Sequence, residues 1–445
     1  MEISALNPIP LSRRRGRSPI SLLLIRSCVT MPRTDRPALR LPQIVALYVG
    51  AVVGCGILIL PGLTADIAGP ASVVSWAVMS LLSLPLALTM GFLAREYPGD
   101  GGVSGFVRTA FREPAGSLIG WFFLSATVIG VPVLSLTGAG YIAAAFGLSE
   151  MVRVIIAAGV LLLGLVLNHV GMRLSGQIQV AVVSTTIVIL LGAFLGSWHE
   201  VDAAAFFPFA PHGWMSAGYA TSLIFWSFIG WEAVTHITGE FEDPARDVVR
   251  ATVIASGIIS ILYLLTAFAV IGTGSYGPGL SDVSLLNVIR LSFGPWGAIC
   301  TGIAALLVCI APSITYIGAA SRLACSLSLT GNAPGFLSRI SPRFRTPTGG
   351  LVFLCICFTG IISGYCSGLL PLTTLIQLPN AAFILTYLGG CAAGIVLFRE
   401  RKKIRALCAL SLVMTGAILF FVSWAILFPV LITLLWGGYR FMHQR

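Results

Sequence analysis

The run Val52-Val53-Gly54-Cys55-Gly56-Ile57-Leu58-Ile59-Leu60-Pro61-Gly62 is apolar enough to lie in a membrane and poorly suited to one continuous helix. Gly54 and Gly56 flank a single small residue, glycine is a weak helix former, and Pro61 lacks the amide that the preceding turn would use. In hydrocarbon, backbone that is not paired within a helix is tolerated only where protein or a polar cavity surrounds it. Two readings are therefore open. The glycines pack against a neighbouring helix, as glycines in transmembrane helices commonly do, or they interrupt the helix to serve a ligand.

Composition supplies the setting. Of 445 residues, 57% are hydrophobic and 10% charged, against roughly 45–50% and 25% in soluble domains, which excludes a soluble globular protein. With about 20 apolar residues needed per membrane crossing, the uncharged stretches predict twelve spans. They fall near 41–63, 70–94, 118–146, 152–167, 178–196, 215–238, 251–272, 296–320, 351–365, 372–398, 406–422 and 425–439. The last two are divided only by Ser423 and Trp424. The fold class expected is thus an all-α polytopic membrane protein with loops too short for a separate soluble domain. The ten cysteines lie almost entirely inside apolar runs with no CxxC pair, and read as small apolar helix residues rather than a disulfide or metal framework.

The formal charge of +11 has a topological reading. If the N-terminus is cytoplasmic, 25 of the 27 basic residues fall on the inner face and only Arg153 and Arg290 on the outer one, as the bias of Lys and Arg towards cytoplasmic loops requires. The outer segment His199 to His212 carries Glu200 and Asp202 and no basic residue. The same partition argues against nucleic acid as a partner, because the basic face points at anionic lipid headgroups. Residues 1–40 form an expected cytoplasmic, disordered segment. Its first thirty residues, with Arg13, Arg14, Arg15 and Arg17 before a short apolar run, are an extension or follow from a start placed ahead of Met31.

A second interruption is expected in the sixth span, where Trp226-Ser227-Phe228-Ile229-Gly230-Trp231-Glu232 joins a glycine to a carboxylate at mid-membrane depth. Broken helices aim the positive end of a half-helix at an anion and offer free carbonyls to a cation, a pairing that suits a zwitterion. The two breaks open the first and sixth spans. Each therefore begins a five-span unit, and an odd number of spans makes the second unit enter the membrane in the opposite sense, giving an inverted repeat. Glu232 is the only carboxylate deep in a predicted span. Burying it ionised costs about 2.5–3.5 kcal/mol even on lenient scales, so it is paired, hydrated or protonated, either on a proton path or as a neutral staple between helices. His236 lies one helical turn further on the same face. It either passes a proton with Glu232 or meets the interface near Glu240. Asp66 reads as a loop cap. Asn380 and Gln377 in the tenth span line the pathway or hold helices together, and the segment Gly101 to Arg112 reads as a short interfacial helix able to act as an inner gate.

Several of these strings together resemble the amino acid permeases of the amino acid-polyamine-organocation (APC) superfamily. The matching pieces are Gly54-Cys55-Gly56-Ile57 with Pro61-Gly62, Gly101-Gly102-Val103 with Phe106, Phe111 and Gly120-Trp121, Phe225 to Glu232 with Glu242-Asp243-Pro244-Ala245-Arg246, and Ser321-Arg322 with Gly331-Asn332-Ala333-Pro334 and Thr346-Pro347. The stretches Tyr97 to Phe111 and Phe225 to Arg246 look nearest to bacterial exporters of methionine and branched-chain amino acids. The resemblance covers residues 41 to about 399. It implies a five-plus-five inverted-repeat core of LeuT-like type over 41–398, two peripheral helices and a short cytoplasmic tail over 399–445, and alternating access.

The resemblance also implies roles. The amides around Gly54, Cys55 and Gly56 hold a substrate carboxylate, the carbonyls of Val52, Trp226 and Ile229 accept from its ammonium, Trp226 stacks or gates, and Glu232 with His236 handles protons. Ile57, Phe228, Ile229 and Gly230 complete an apolar pocket suited to Leu, Ile, Val or Met. Two departures stand out: Cys55 replaces the serine or threonine of many relatives, and the fifth span has no lysine to take the place of a sodium ion. The chain contains no GxxxxGK[ST] loop, which favours a gradient over a nucleotide as the driving force. The expected function is a secondary active transporter of small neutral amino acids in the cell membrane, exporting them against protons. An importer or exchanger of the same fold is the nearest alternative, and a receptor or channel a distant one. No enzyme activity, cofactor or metal is expected, and the oligomeric state is not legible.

Overall fold

The computed structural model describes residues 40–97, 102–172, 176–231, 241 and 243–443. Among them the chain is helical and contains no β-strand. In order, the helices are α1 (Leu41–Val52), α2 (Gly56–Ala68), α3 (Ser72–Glu96), α4 (Gly102–Phe111), α5 (Glu113–Phe146), α6 (Glu150–Val170) and α7 (Gly176–Ser197). They are followed by α8 (Trp214–Ile224), α9 (Pro244–Gly272), α10 (Ser284–Leu329), α11 (Thr348–Cys366), α12 (Leu372–Leu397), α13 (Lys402–Ile418) and α14 (Leu427–His443). Among the described residues ten helical runs are long and apolar enough to cross a membrane, and α1 is a shorter apolar helix. One of the ten joins α2 and α3 through the turn Gly69–Ala71, and α8 stops at Ile224, just ahead of the expected second interruption; positions 232–238 of that span lie outside the described residues.

Burial separates core from periphery. In α5, 72% of the apolar stretch is buried within protein, against 22% in α13 and 11% in α14. α5 is therefore the central post, packed by α10, α12, α4 and α6, while the last two helices turn apolar side chains such as Val413, Leu434 and Leu435 outward. Those exposed aliphatic side chains are what a lipid-facing surface needs.

Side-chain links define two ends of the bundle. At one, Glu96 of α3 pairs with Arg401 before α13 (2.6 Å), and Trp121 of α5 donates to the Asn332 carbonyl after α10 (2.9 Å). At the other, Arg153 of α6 meets Asp282 (3.8 Å) and Tyr365 of α11 donates to Glu150 (2.6 Å). Arg290 belongs to this second end, donating to the Ala144 carbonyl of α5 at 2.8 Å.

The structure departs from the sequence expectations in three places. Pro61 lies inside α2 and does not end it; the helix continues to Ala68, and Thr64 turns its hydroxyl back to the Leu60 carbonyl (2.7 Å) in the turn around the proline. α10 begins twelve residues before the predicted 296 and turns at Gly294, where φ is 64° and Pro295 follows. Its first segment buries Leu285, Leu286, Val288 and Ile289 while Arg290 points out, and that flanking charge made an amphipathic helix look like a loop. Finally, the helix α4 is not merely interfacial. Val103, Phe106 and Val107 are buried, with Val103 and Val107 against Gly390 and Gly389 of α12, and Arg108 pairs with Glu113 (3.1 Å) at the exposed edge.

Candidate functional site at two facing helix breaks

The first break is three residues long. α1 ends at Val52, Val53 leaves helical geometry (φ −75°, ψ 86°), and α2 starts at Gly56. Val53 N–H still donates to Val49 (2.7 Å), and Gly54 N–H closes a tight turn on the Val52 carbonyl (2.9 Å). The C-terminal, carbonyl-rich end of α1 thus faces the N-terminal, amide-rich end of α2 across Val53 to Cys55. Such ends carry about half a negative and half a positive charge respectively.

The second break follows α8. Phe225–Phe228 form one 3-10 turn, Ile229 is extended (φ −78°, ψ 146°), and Gly230 has φ 129°. The Trp226 carbonyl accepts weakly from Ile229 N–H (3.4 Å), and Gly230 N–H donates to the Tyr387 hydroxyl of α12 (3.2 Å). Glu232 and His236 lie outside the described residues.

The two breaks touch backbone to backbone. A Cβ on Gly56 would fall 2.5 Å from Ser227 Oγ and 2.9 Å from Ser227 Cα, and one on Gly230 would overlap the Ala51 carbonyl. Glycine is therefore required at both crossings for steric reasons. Between them stands Tyr263 of α9, whose hydroxyl is 2.9 Å from the Ser227 carbonyl and 3.2 Å from that of Val52. From the opposite side Tyr141 of α5 donates to the Leu58 carbonyl in the first turn of α2. Neither tyrosine was singled out in the sequence. A tyrosine in an apolar run is also what a helix presents near the membrane interface, and nothing local marks one that faces a break.

The expected pocket residues divide between two sides. Trp226 lies against Gly130 of α5, where a Cβ would sit 2.7 Å from the indole, and meets the Phe383 ring of α12 edge-on at 6.0 Å. Phe228, two residues on, packs on the other side between Tyr263 (5.1 Å) and Trp76 of α3 (6.5 Å). Val52, Cys55, Ile57, Phe228 and Ile229 are all buried. Asn380 donates to the Ser222 carbonyl (2.6 Å), tying α12 to α8 beside a cavity of about 50 Å³ that Gln377 also lines. Ser227 Oγ is buried and has no hydrogen-bond partner among the described residues. An unpaired buried hydroxyl costs roughly 1–3 kcal/mol, and this one lies against Gly56.

Comparison with known proteins agrees with this architecture. A family model described as amino acid permease matches residues 39–437. An uncharacterized amino acid permease of Bacillus subtilis, YecA, is 35% identical over 401 residues, covering 90% of this chain and 94% of the relative. The L-methionine/branched-chain amino acid exporter YjeH of Escherichia coli is 29% identical over 389 residues, or 85% and 91% of the two chains. The branched-chain amino acid permease BcaP of Bacillus subtilis is 26% identical over 380 residues, or 80% and 79%. On the match across nearly its whole length, this chain is a multi-pass membrane protein of the amino acid permease family of the APC superfamily, and not an enzyme.

Proposed function

We propose that the chain is a proton-coupled secondary transporter that exports small apolar amino acids, with methionine, leucine, isoleucine and valine as the substrate class. The observation that carries the reading is the meeting of the two breaks at Gly56 and Ser227, which puts half-helix amides and carbonyls around one point. The amides of Cys55, Gly56 and Ile57, at the positive end of α2, hold the carboxylate. The carbonyls of Val52, Trp226 and Ile229 receive the ammonium, and Ser227 Oγ supplies the hydroxyl that Cys55 lacks. Trp226, held between Gly130 and Phe383, forms the wall that the apolar side chain meets. Glu232 and His236 carry the coupled proton. The name of the Escherichia coli relative, a methionine and branched-chain exporter, supports the substrate class and direction.

The topology belongs to the same proposal: twelve crossings in a five-plus-five inverted repeat over 41–398, two peripheral helices over 399–445, both termini cytoplasmic, and the Asp282 end facing outward in the cell membrane. The positions of Arg153 and Arg290 at that end, opposite Arg401, support the orientation. The test is efflux of labelled leucine or methionine from preloaded proteoliposomes under an imposed pH gradient. Efflux accelerated by outside acid supports proton antiport. Uptake with no efflux identifies an importer, and the absence of counterflow identifies a receptor or channel.

A further inference from the structure

At the Asp282 end a cavity of about 430 Å³ is lined by Leu63, Asp66, Gly140, Glu150, Arg153 and Asp282 among others. Three carboxylates thus share it with one guanidinium, and Arg153 as a residue is buried, at 8% exposure. A buried arginine needs partners, and this one has several. Its Nε donates to the Leu136 carbonyl of α5 (3.2 Å), Nη1 meets Glu150 (3.4 Å) and Asp282 (3.8 Å), and the guanidinium lies 5.6 Å from the centre of the Tyr365 ring of α11. Gly140 of α5 makes the room, since a Cβ there would come within 3.0 Å of Nε.

Asp282 lies on another element, the turn that leads into α10. The turn Ser281–Val283 lies backbone to backbone on α2, the second half of the broken helix: a Cβ on Gly62 would fall 2.8 Å from Ser281 Cα and 2.8 Å from Ser284 Cβ. Arg153, by contrast, is fastened to α5, α6 and α11. The Asp282–Arg153 pair is therefore a charged link between the turn that lies on α2 and the start of α6, with the cavity beside it. Tyr141 of α5 and Trp76 of α3 also reach α2, donating to the Leu58 carbonyl and the Thr64 hydroxyl.

We propose that Arg153 is the positioning residue of a latch that closes the Asp282 end of the pathway, and that protonation of Asp282 releases it. The proposal takes from the functional reading above that this end faces outward. The groups facing the latch are Asp66 from α2, Tyr141 from α5, Glu150 and Arg153 from α6, Tyr365 from α11, Arg290 at the adjoining Ala144 carbonyl, and Tyr276 in the loop. Burial and the nearby Asp66 both push the Tyr276 phenol up, so it stays neutral as Asp282 takes up a proton. Acid removes the charge of Asp282 and with it the attraction to Arg153, which weakens the link.

Cys55 is a native reporter, buried at the first break, and Cys366 is an exposed reference at the end of α11. In right-side-out vesicles, modification of each by a membrane-impermeant methanethiosulfonate is followed by peptide mass spectrometry. The ratio of Cys55 to Cys366 labelling is expected to rise about fivefold in the wild type between roughly pH 7 and pH 5. In Asp282→Asn it is expected to be high and flat, and Arg153→Lys is expected to keep the wild-type response where Arg153→Gln loses it. A wild-type ratio that does not rise with acid in either vesicle orientation overturns the latch without any variant, as does a normal response in Asp282→Asn. A response confined to inverted vesicles keeps the latch and overturns the outward orientation.

Discussion

Gly230 and Ala51 form the tightest crossing between the two helix breaks: a Cβ on Gly230 would overlap the Ala51 carbonyl oxygen and lie 2.8 Å from its carbon. The φ of Gly230, 129°, adds a conformation that side-chain-bearing residues avoid. Gly230→Ala is expected to cost at least the 1–3 kcal/mol of such strained backbone and to reduce transport by more than about tenfold. Gly257→Ala, where nothing lies within 4 Å, is the matched control and should transport normally. Thermal unfolding in detergent and leucine flux in proteoliposomes read the two together.

Tyr263→Phe isolates the hydroxyl between the breaks. The ring packs edge-on against Trp76 (5.3 Å) and Phe228 (5.1 Å), so phenylalanine preserves the packing and removes only the bonds to the Val52 and Ser227 carbonyls. The expected loss is about 1–3 kcal/mol in stability, with a KM for leucine raised several-fold as the breaks lose their common tie. An unchanged KM would show that the breaks hold their geometry without it.

Ser227→Ala separates binding from stability by sign. The Ser227 hydroxyl is buried without a partner among the described residues, so its removal should leave the thermal midpoint unchanged or raised. If that hydroxyl bonds the substrate carboxylate, affinity for leucine falls about tenfold, which corresponds to a hydrogen bond to a charged group. A fall in both quantities would identify the hydroxyl as structural instead.

Gly130→Ala tests the Trp226 wall. A Cβ at Gly130 comes to 2.7 Å of the indole, and Phe383 behind the ring limits its retreat. The indole is expected to move into the space between the breaks, lowering the maximal rate for leucine and methionine more than for alanine. Competition between labelled leucine and unlabelled alanine measures the shift.

What the sequence made legible was local. Gly54 and Gly56 announced the first break and Gly230 the second, because glycine density in an apolar run is visible without knowing what lies opposite. Pro61 was overread: a proline in α2 looked like part of the interruption, but neighbouring helices and the Thr64 hydroxyl accommodate it. The tyrosines were missed for the opposite reason. Tyr263 is 36 residues from Ser227 and 211 from Val52, and only tertiary packing gives its hydroxyl a role. Phe228 shows the limit of adjacency. Two positions from Trp226, it faces Trp76 and Tyr263 rather than Gly130, because a 3-10 turn and an extended residue replace the helical spacing there. Arg153 was visible only as one of two basic residues on the sparse face; its partners at 136, 150, 282 and 365 come together only in the fold.

The Tyr263 hydroxyl carries one hydrogen and stands within bonding distance of two carbonyl oxygens. The two oxygens are not equal competitors for that hydrogen, because the Val52 carbonyl also accepts from Gly54 N–H (2.9 Å). On the proposed function, an ammonium that binds the Val52 carbonyl leaves the tyrosine's hydrogen to Ser227, so the substrate and the strut that joins the two breaks share one oxygen.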